Sequence, residues 1–119
     1  TDGGCKRCLN RDKYASGTFY DLCICVHAEQ NAILAAARFG IATEGAVLYS
    51  TMQPCFGCTK ELLQAGVRGV YYLHEWAYPD PQMQASYAEV QAQFADGVRE
   101  VEIEDEQAAW AISRIRKDV

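Results

Sequence analysis

The positions of the cysteines constrain this chain more than any other feature. Six cysteines fall as three close pairs, Cys5 with Cys8, Cys23 with Cys25 and Cys55 with Cys58. Residues two or three apart close no useful loop, but they can turn two sulfurs toward one ion, so the pairs suit metal ligation better than a disulfide framework. The N-terminus shows no export-signal pattern, and half of the 119 residues are apolar, enough for a core that needs no cross-links. The expectation is one domain over 1–119 built around zinc, with residues 1–26 as a cysteine-rich, zinc-stapled segment.

Charge narrows the partners. A net charge of -5 argues against a protein held to nucleic acid by neutralising phosphates, because that mode needs a basic surface. A small anionic substrate needs only one local basic pocket and stays open. No apolar run approaches the roughly 20 residues of a membrane span. A soluble, cytoplasmic protein without a membrane partner is expected.

Residues 1–26 are rich in Gly, Cys and charge and carry no sustained period. HAEQNAILAAARF, from His27 to Phe39, repeats its apolar residues at helical spacing, and Gly40 stands just past its end as a stop. Ala46 to Met52 predicts a buried strand. Pro54 suits the first position of a second helix that ends at Gly66. Val67 to Leu73 predicts the next strand, Pro79 to Pro81 a loop, and Gln82 to Ala95 a helix. Val98 to Glu104 alternates apolar and polar residues, as a strand with one covered face does, and Glu106 to Arg116 carries an apolar helical stripe. Strands separated by helices imply parallel crossovers, hence an α/β sheet layered with helices.

The chemistry concentrates in two short motifs, His27-Ala28-Glu29 and Pro54-Cys55-Phe56-Gly57-Cys58. Helix positions three apart share a face, so Cys55 and Cys58 can offer two sulfurs to one ion, and a helix N-terminus favours the thiolates that zinc requires. His27 can supply a third ligand from the start of the preceding helix. Three protein ligands leave one tetrahedral position for water, whose pKa zinc lowers toward about 7. Glu29 lies near enough to take the proton of that water and return it to a substrate nitrogen without being a ligand. His-x-Glu followed by Pro-Cys-x-x-Cys is the signature of zinc deaminases.

HAEQNAI and TMQPCFGCTKELLQAGVRGVYY resemble the bacterial and phage deoxycytidylate (dCMP) deaminases of the cytidine deaminase superfamily, and the resemblance runs from Gly4 to about Ile103. Deaminases of free nucleosides carry Cys where His27 stands. The tRNA adenosine deaminases share both motifs but not the Asn31-Ala32-Ile33 continuation. The resemblance implies a three-layer α/β/α sandwich with a mixed sheet, a catalytic zinc on His27, Cys55 and Cys58, and Glu29 as the proton shuttle. It further implies hydrolysis of dCMP to dUMP and ammonia, a symmetric homo-oligomer, and dCTP and dTTP as effectors. A deaminase of cytosine or adenine in tRNA or single-stranded DNA, and a non-catalytic zinc-stapled regulatory module, are the competing readings.

Cys5, Cys8, Cys23 and Cys25 can close a second, structural zinc site of four thiolates; alternatively His74 replaces one of Cys23 and Cys25. Tyr71, Tyr72, Trp76 and Tyr78 are candidates to stack on a pyrimidine, with ordinary core packing as the alternative. Asn31 can hold a loop or touch the nucleotide sugar, and Arg7, Arg11 and Lys13 are possible phosphate partners. Family members begin with a helix and a two-stranded hairpin that precede the Gly-Cys segment, and the chain starts at Thr1 without them, so it reads as a fragment whose three-strand sheet has an open edge.

Overall fold

In the computed structural model, residues 9–13, 22 and 24–103 are described. A short 3-10 turn at Arg11–Lys13 precedes α1 (Ala28–Arg38), β1 (Val47–Met52), α2 (Phe56–Gln64), β2 (Gly69–His74), α3 (Pro81–Gln91) and β3 (Val98–Glu100). The strands lie in the order β1-β2-β3 and pair in parallel, Val47 beside Gly69 and Val70 beside Val98. The alternation of helix and strand is the expected cytidine-deaminase-like arrangement. An antiparallel strand that would make the sheet mixed is not found among the described residues, and the expected helix from Glu106 to Arg116 lies outside them.

Both crossovers step the same way across the sheet, and right-handed connections therefore place α2 and α3 on one face. Each packs against its neighbour, with α1 on the other side of α2. The core sits beneath this layer: Leu62, Val67, Val70 and Phe94 are buried together, with Ile33, Leu48, Leu63 and Val98 packed around them. Strand alternation sends Leu48, Ser50 and Met52 toward the helices and Tyr49 to the opposite face, where its ring stacks on Tyr71 at 5.4 Å.

Several boundaries differ from the sequence expectation, each for a local reason. Helix α2 begins at Phe56 because Cys55, in extended backbone, is its N-cap and accepts the Cys58 amide through sulfur; Pro54 thus precedes the cap. Pro81 opens α3 behind the Asp80 cap, whose carboxylate accepts the Gln82 amide at 3.0 Å. That helix ends at Gln91, four residues short of Ala95, and β3 pairs over only three residues.

Helices α1 and α2 end in the same way. In α2 the Val67 amide donates to Leu62 O and the Gly66 amide to Leu63 O, both at 3.1 Å, the bonds of a Schellman turn with its apolar contact inside the core. Val67 is therefore part of the helix stop rather than of the strand. Gly66 has φ +83, and a Cβ there would stand 3.0 Å from the Glu44 backbone. Gly40, which stops α1, has φ +70 with open space around it. Left-handed backbone costs a side-chain-bearing residue about 1–2 kcal/mol, and only Gly66 adds a backbone clash. Gly66→Ala is accordingly expected to lower the urea midpoint more than Gly40→Ala, and equal losses in the two denaturation curves would contradict this assignment.

Candidate active site

Two helix starts meet at the C-terminal end of β1. His27 is the N-cap of α1, and its amide donates to Gln30 Oε1 at 2.9 Å, half of a capping box. Gln30 Nε2 in turn donates to Glu61 Oε1 of α2 at 3.1 Å. One glutamine thus fixes the backbone of His27 and ties the first turn of α1 to α2.

At the other start, Cys55 and Cys58 stand on the first turn of α2. His27 Nδ1 lies 3.3 Å from Cys58 Sγ and 3.5 Å from Cys55 Sγ. All three donor atoms fall within 4.8 Å of one another. Zinc bonds of about 2.05 Å to nitrogen and 2.3 Å to sulfur, at tetrahedral angles, would separate N and S by about 3.6 Å. The two nitrogen–sulfur separations are thus already close to the spacing that zinc needs.

The electrostatics point the same way. Cys58 is buried, Cys55 half-buried and His27 exposed. Burial pushes the Cys58 thiol far above its ordinary range, and the adjacent Cys55 sulfur and the carboxylates of Glu29 and Glu61 act in the same direction. A buried sulfur in that setting becomes a thiolate only beside a cation, and a coordinated metal deprotonates it outright. A soft, tetrahedral N/S donor set with one exposed side fits catalytic zinc.

Glu29, half-buried in the first turn of α1, places Oε1 2.9 Å from Ser50 Oγ on β1. Its carboxylate is anchored to the sheet while its neighbour His27 serves the triad. The turn between β1 and α2 is held from below. Gln53 and Pro54 are buried, the Pro54 carbonyl accepts from the Tyr87 hydroxyl and, at 3.3 Å, from Thr59 Oγ1, and the Gln53 carbonyl accepts from Trp76 Nε1 at 2.7 Å. Burial lifts the Tyr87 hydroxyl to about 12, so it donates to Pro54 throughout the working pH range. The Phe56 amide, an orphan donor of the α2 N-terminus, donates to the Tyr78 hydroxyl at 2.8 Å.

Of the predicted residues, the structure brings together His27, Cys55 and Cys58, with Glu29 on the adjoining turn. Trp76 and Tyr78 join Phe56 and Tyr87 in an aromatic cluster directly under α2, with Trp76 and Tyr78 centroids 4.4 Å apart. Tyr72 is buried in the sheet, Tyr71 points to the opposite face beside Tyr49, and Asn31 is exposed on α1. Cys25 and Lys13 are exposed. Cys5, Arg7, Cys8 and Cys23 lie outside the described residues, as does the side chain of Arg11. His74 Nε2 is buried without a hydrogen-bond partner among the described residues. Three participants were missed from sequence: Gln30, whose place three residues after the N-cap is a capping-box signal, Ser50, a hydroxyl on the inward face of an apolar strand, and Gln53, for which no local signal exists.

Known proteins are similar to this chain. ComE operon protein 2 of Bacillus subtilis (strain 168) is 41% identical over 69 residues, covering 58% of this chain and 33% of that protein. The deoxycytidylate deaminase of Schizosaccharomyces pombe is 38% identical over 71 residues, 60% of this chain and 21% of that protein. The crystal structure of dCMP deaminase from the cyanophage S-TIM5 in complex with dCMP and dUMP superposes with a TM-score of 0.50 at 28% identity, over 70% of this chain and 59% of that one. The chain thus matches between a fifth and three-fifths of the length of these relatives. The cytidine and deoxycytidylate deaminase zinc-binding region matches residues 5–74, more than half of the sequence, and that span contains His27, Glu29, Cys55 and Cys58 in the geometry just described. The matched span holds all three donors of the His27, Cys55 and Cys58 cluster, and the chain belongs to the cytidine and deoxycytidylate deaminase zinc-binding family.

Proposed function

We propose that the protein hydrolyses dCMP to dUMP and ammonia. The observation that carries this reading is the His27, Cys55 and Cys58 donor set with Glu29 two residues after His27 on the same helix start. Support for the monophosphate comes from the deoxycytidylate deaminases among its relatives and from the cyanophage enzyme solved with dCMP and dUMP. Zinc, when bound, supplies an activated water for attack at C4 of cytosine. His27, Cys55 and Cys58 hold the ion, with Gln30 fixing the first of them through its backbone. Glu29 takes the proton of the attacking water on its carboxylate and passes it to the ring nitrogen, then to the departing amine. The aromatic cluster of Phe56, Trp76, Tyr78 and Tyr87 braces the start of α2, through the Tyr78 bond to the Phe56 amide and the Tyr87 bond to the Pro54 carbonyl. Asn31, Tyr72 and Trp76 are the substrate contacts we assign; of these, Trp76 has the closest structural link, through Gln53, to the turn that carries Cys55.

Incubation with dCMP, dCTP, deoxycytidine and cytosine, followed by ammonia release, tests the reading. Turnover of dCMP above the others is expected; activity on tRNA or single-stranded DNA that weakens as salt rises would transfer the chemistry to a polynucleotide. Turnover of nothing by zinc-loaded protein would leave the non-catalytic module. Glu29→Gln should lower kcat by about 10²–10⁴-fold with zinc content unchanged, and loss of zinc in that variant would instead make Glu29 a ligand.

We further propose that residues 1–119 form one domain whose first 26 residues are organised by a second, structural zinc on Cys5, Cys8, Cys23 and Cys25. The buried, unpartnered His74 Nε2 supports the variant in which His74 replaces one of the last two. Metal analysis should find two zincs per chain, falling to one in Cys5→Ser/Cys8→Ser with the catalytic ion retained. One zinc in the unaltered protein would remove the staple and leave the catalytic site standing. A homo-oligomer, with dCTP and dTTP as effectors, completes the reading. α1 has no buried residue and exposes Leu34, with Phe39 and Ile41 exposed just past its end, apolar surface of the kind a second copy covers. Among the described residues no helix is long and apolar enough to cross a membrane. Thiolate ligands favour a reducing compartment, which supports a cytoplasmic location.

A further inference from the structure

Strand β1 presents Leu48, Ser50 and Met52 toward the helical layer, and two of these three are the apolar side chains such a face calls for. Ser50 is the exception. A hydroxyl half-buried in an apolar row needs a partner, and this one has two: Glu29 Oε1 at 2.9 Å and the Met52 carbonyl oxygen at 2.6 Å. Met52 is the last residue of β1, two positions before Pro54 and three before Cys55. The contact therefore joins the carboxylate of α1 to the end of the strand that delivers the cysteines.

We infer that Ser50 is the positioning residue for Glu29. This inference rests on the deaminase reading above. Glu29 is a long side chain with several rotatable bonds at the exposed start of a helix, and Ser50 is its hydrogen-bond partner on the sheet. A proton shuttle works only when its oxygen is held within hydrogen-bond reach of the atoms it serves. A serine hydroxyl has one proton and two lone pairs, so it can donate to a carboxylate or accept from a carboxylic acid. The Ser50 hydroxyl has both acceptors within reach, Glu29 Oε1 and the Met52 carbonyl oxygen, and so holds the carboxylate beside the end of β1. An apolar residue at position 50 would leave Glu29 without that partner.

The test compares Ser50→Ala and Ser50→Thr with the unaltered, zinc-loaded protein. Ser50→Ala should lower kcat on dCMP by about 10- to 100-fold, the usual loss when a supporting hydrogen bond is removed, with KM within about two-fold and zinc content and Tm unchanged. Ser50→Thr retains the hydroxyl on a strand that favours β-branching, and should recover most of the rate. Crystal structures of the unaltered protein and Ser50→Ala give a readout independent of turnover: the Glu29 carboxylate should leave the end of β1 in the variant. An unchanged kcat in Ser50→Ala, a loss that Ser50→Thr does not restore, or a Glu29 carboxylate that stays in place would each overturn the inference. If the unaltered protein turns over no cytosine compound, the deaminase reading fails by itself, and the crystallographic comparison still decides whether Ser50 positions Glu29.

Discussion

A buried cysteine beside a second cysteine and two carboxylates is the constraint around which the molecule is arranged. With burial pushing the Cys58 thiol upward and Cys55, Glu29 and Glu61 acting in the same direction, Cys58 keeps its proton unless a cation joins it. His27 supplies a nitrogen donor beside the two sulfurs. The three donor atoms form a set that could hold a metal ion, and such an ion would take the place of the Cys58 proton.

The rest of the described structure serves to bring two helix starts to one point. Parallel pairing of β1 with β2 makes α2 a crossover that begins where β1 ends, so the cysteines sit at the carboxyl end of the sheet, the usual place for chemistry in α/β folds. The turn itself has little freedom. Tyr87 and Thr59 bond the Pro54 carbonyl, Trp76 bonds Gln53 on both backbone and side chain, and Tyr78 accepts the first amide of α2. Apart from Thr59 of α2 itself, these partners come from α3 and from the segment after β2. Side chains remote in sequence thus hold a turn whose own residues supply the ligands. Such outer partners matter to a metal site because ligand orientation depends on them.

Much of this was legible in advance. The three helices, three strands and parallel order follow from periods and stop signals that act over a few residues, and the metal triad follows from i, i+3 spacing on a helix start. Element ends were less legible. Pro54 reads as a first helical residue until the Cys55 sulfur is seen capping the helix, and Val67 reads as strand until its amide is seen closing the Schellman turn. In both cases a hydrogen bond made only in the folded backbone outweighs residue preference.

By itself the sequence determined the donor types, their spacing and the alternation of helix with strand, because these are properties of neighbours along the chain. Tertiary structure decided which side chains hold the donors. Gln30 reaches Glu61 across 31 positions, Ser50 reaches Glu29 across 21 and Tyr87 reaches Pro54 across 33. It also separated Tyr71 from the site and kept Trp76 near it, since adjacent strand residues face opposite ways while a loop folds back under the next helix. Such contacts depend on how α1, β1 and α3 are brought together in space, which no local pattern encodes.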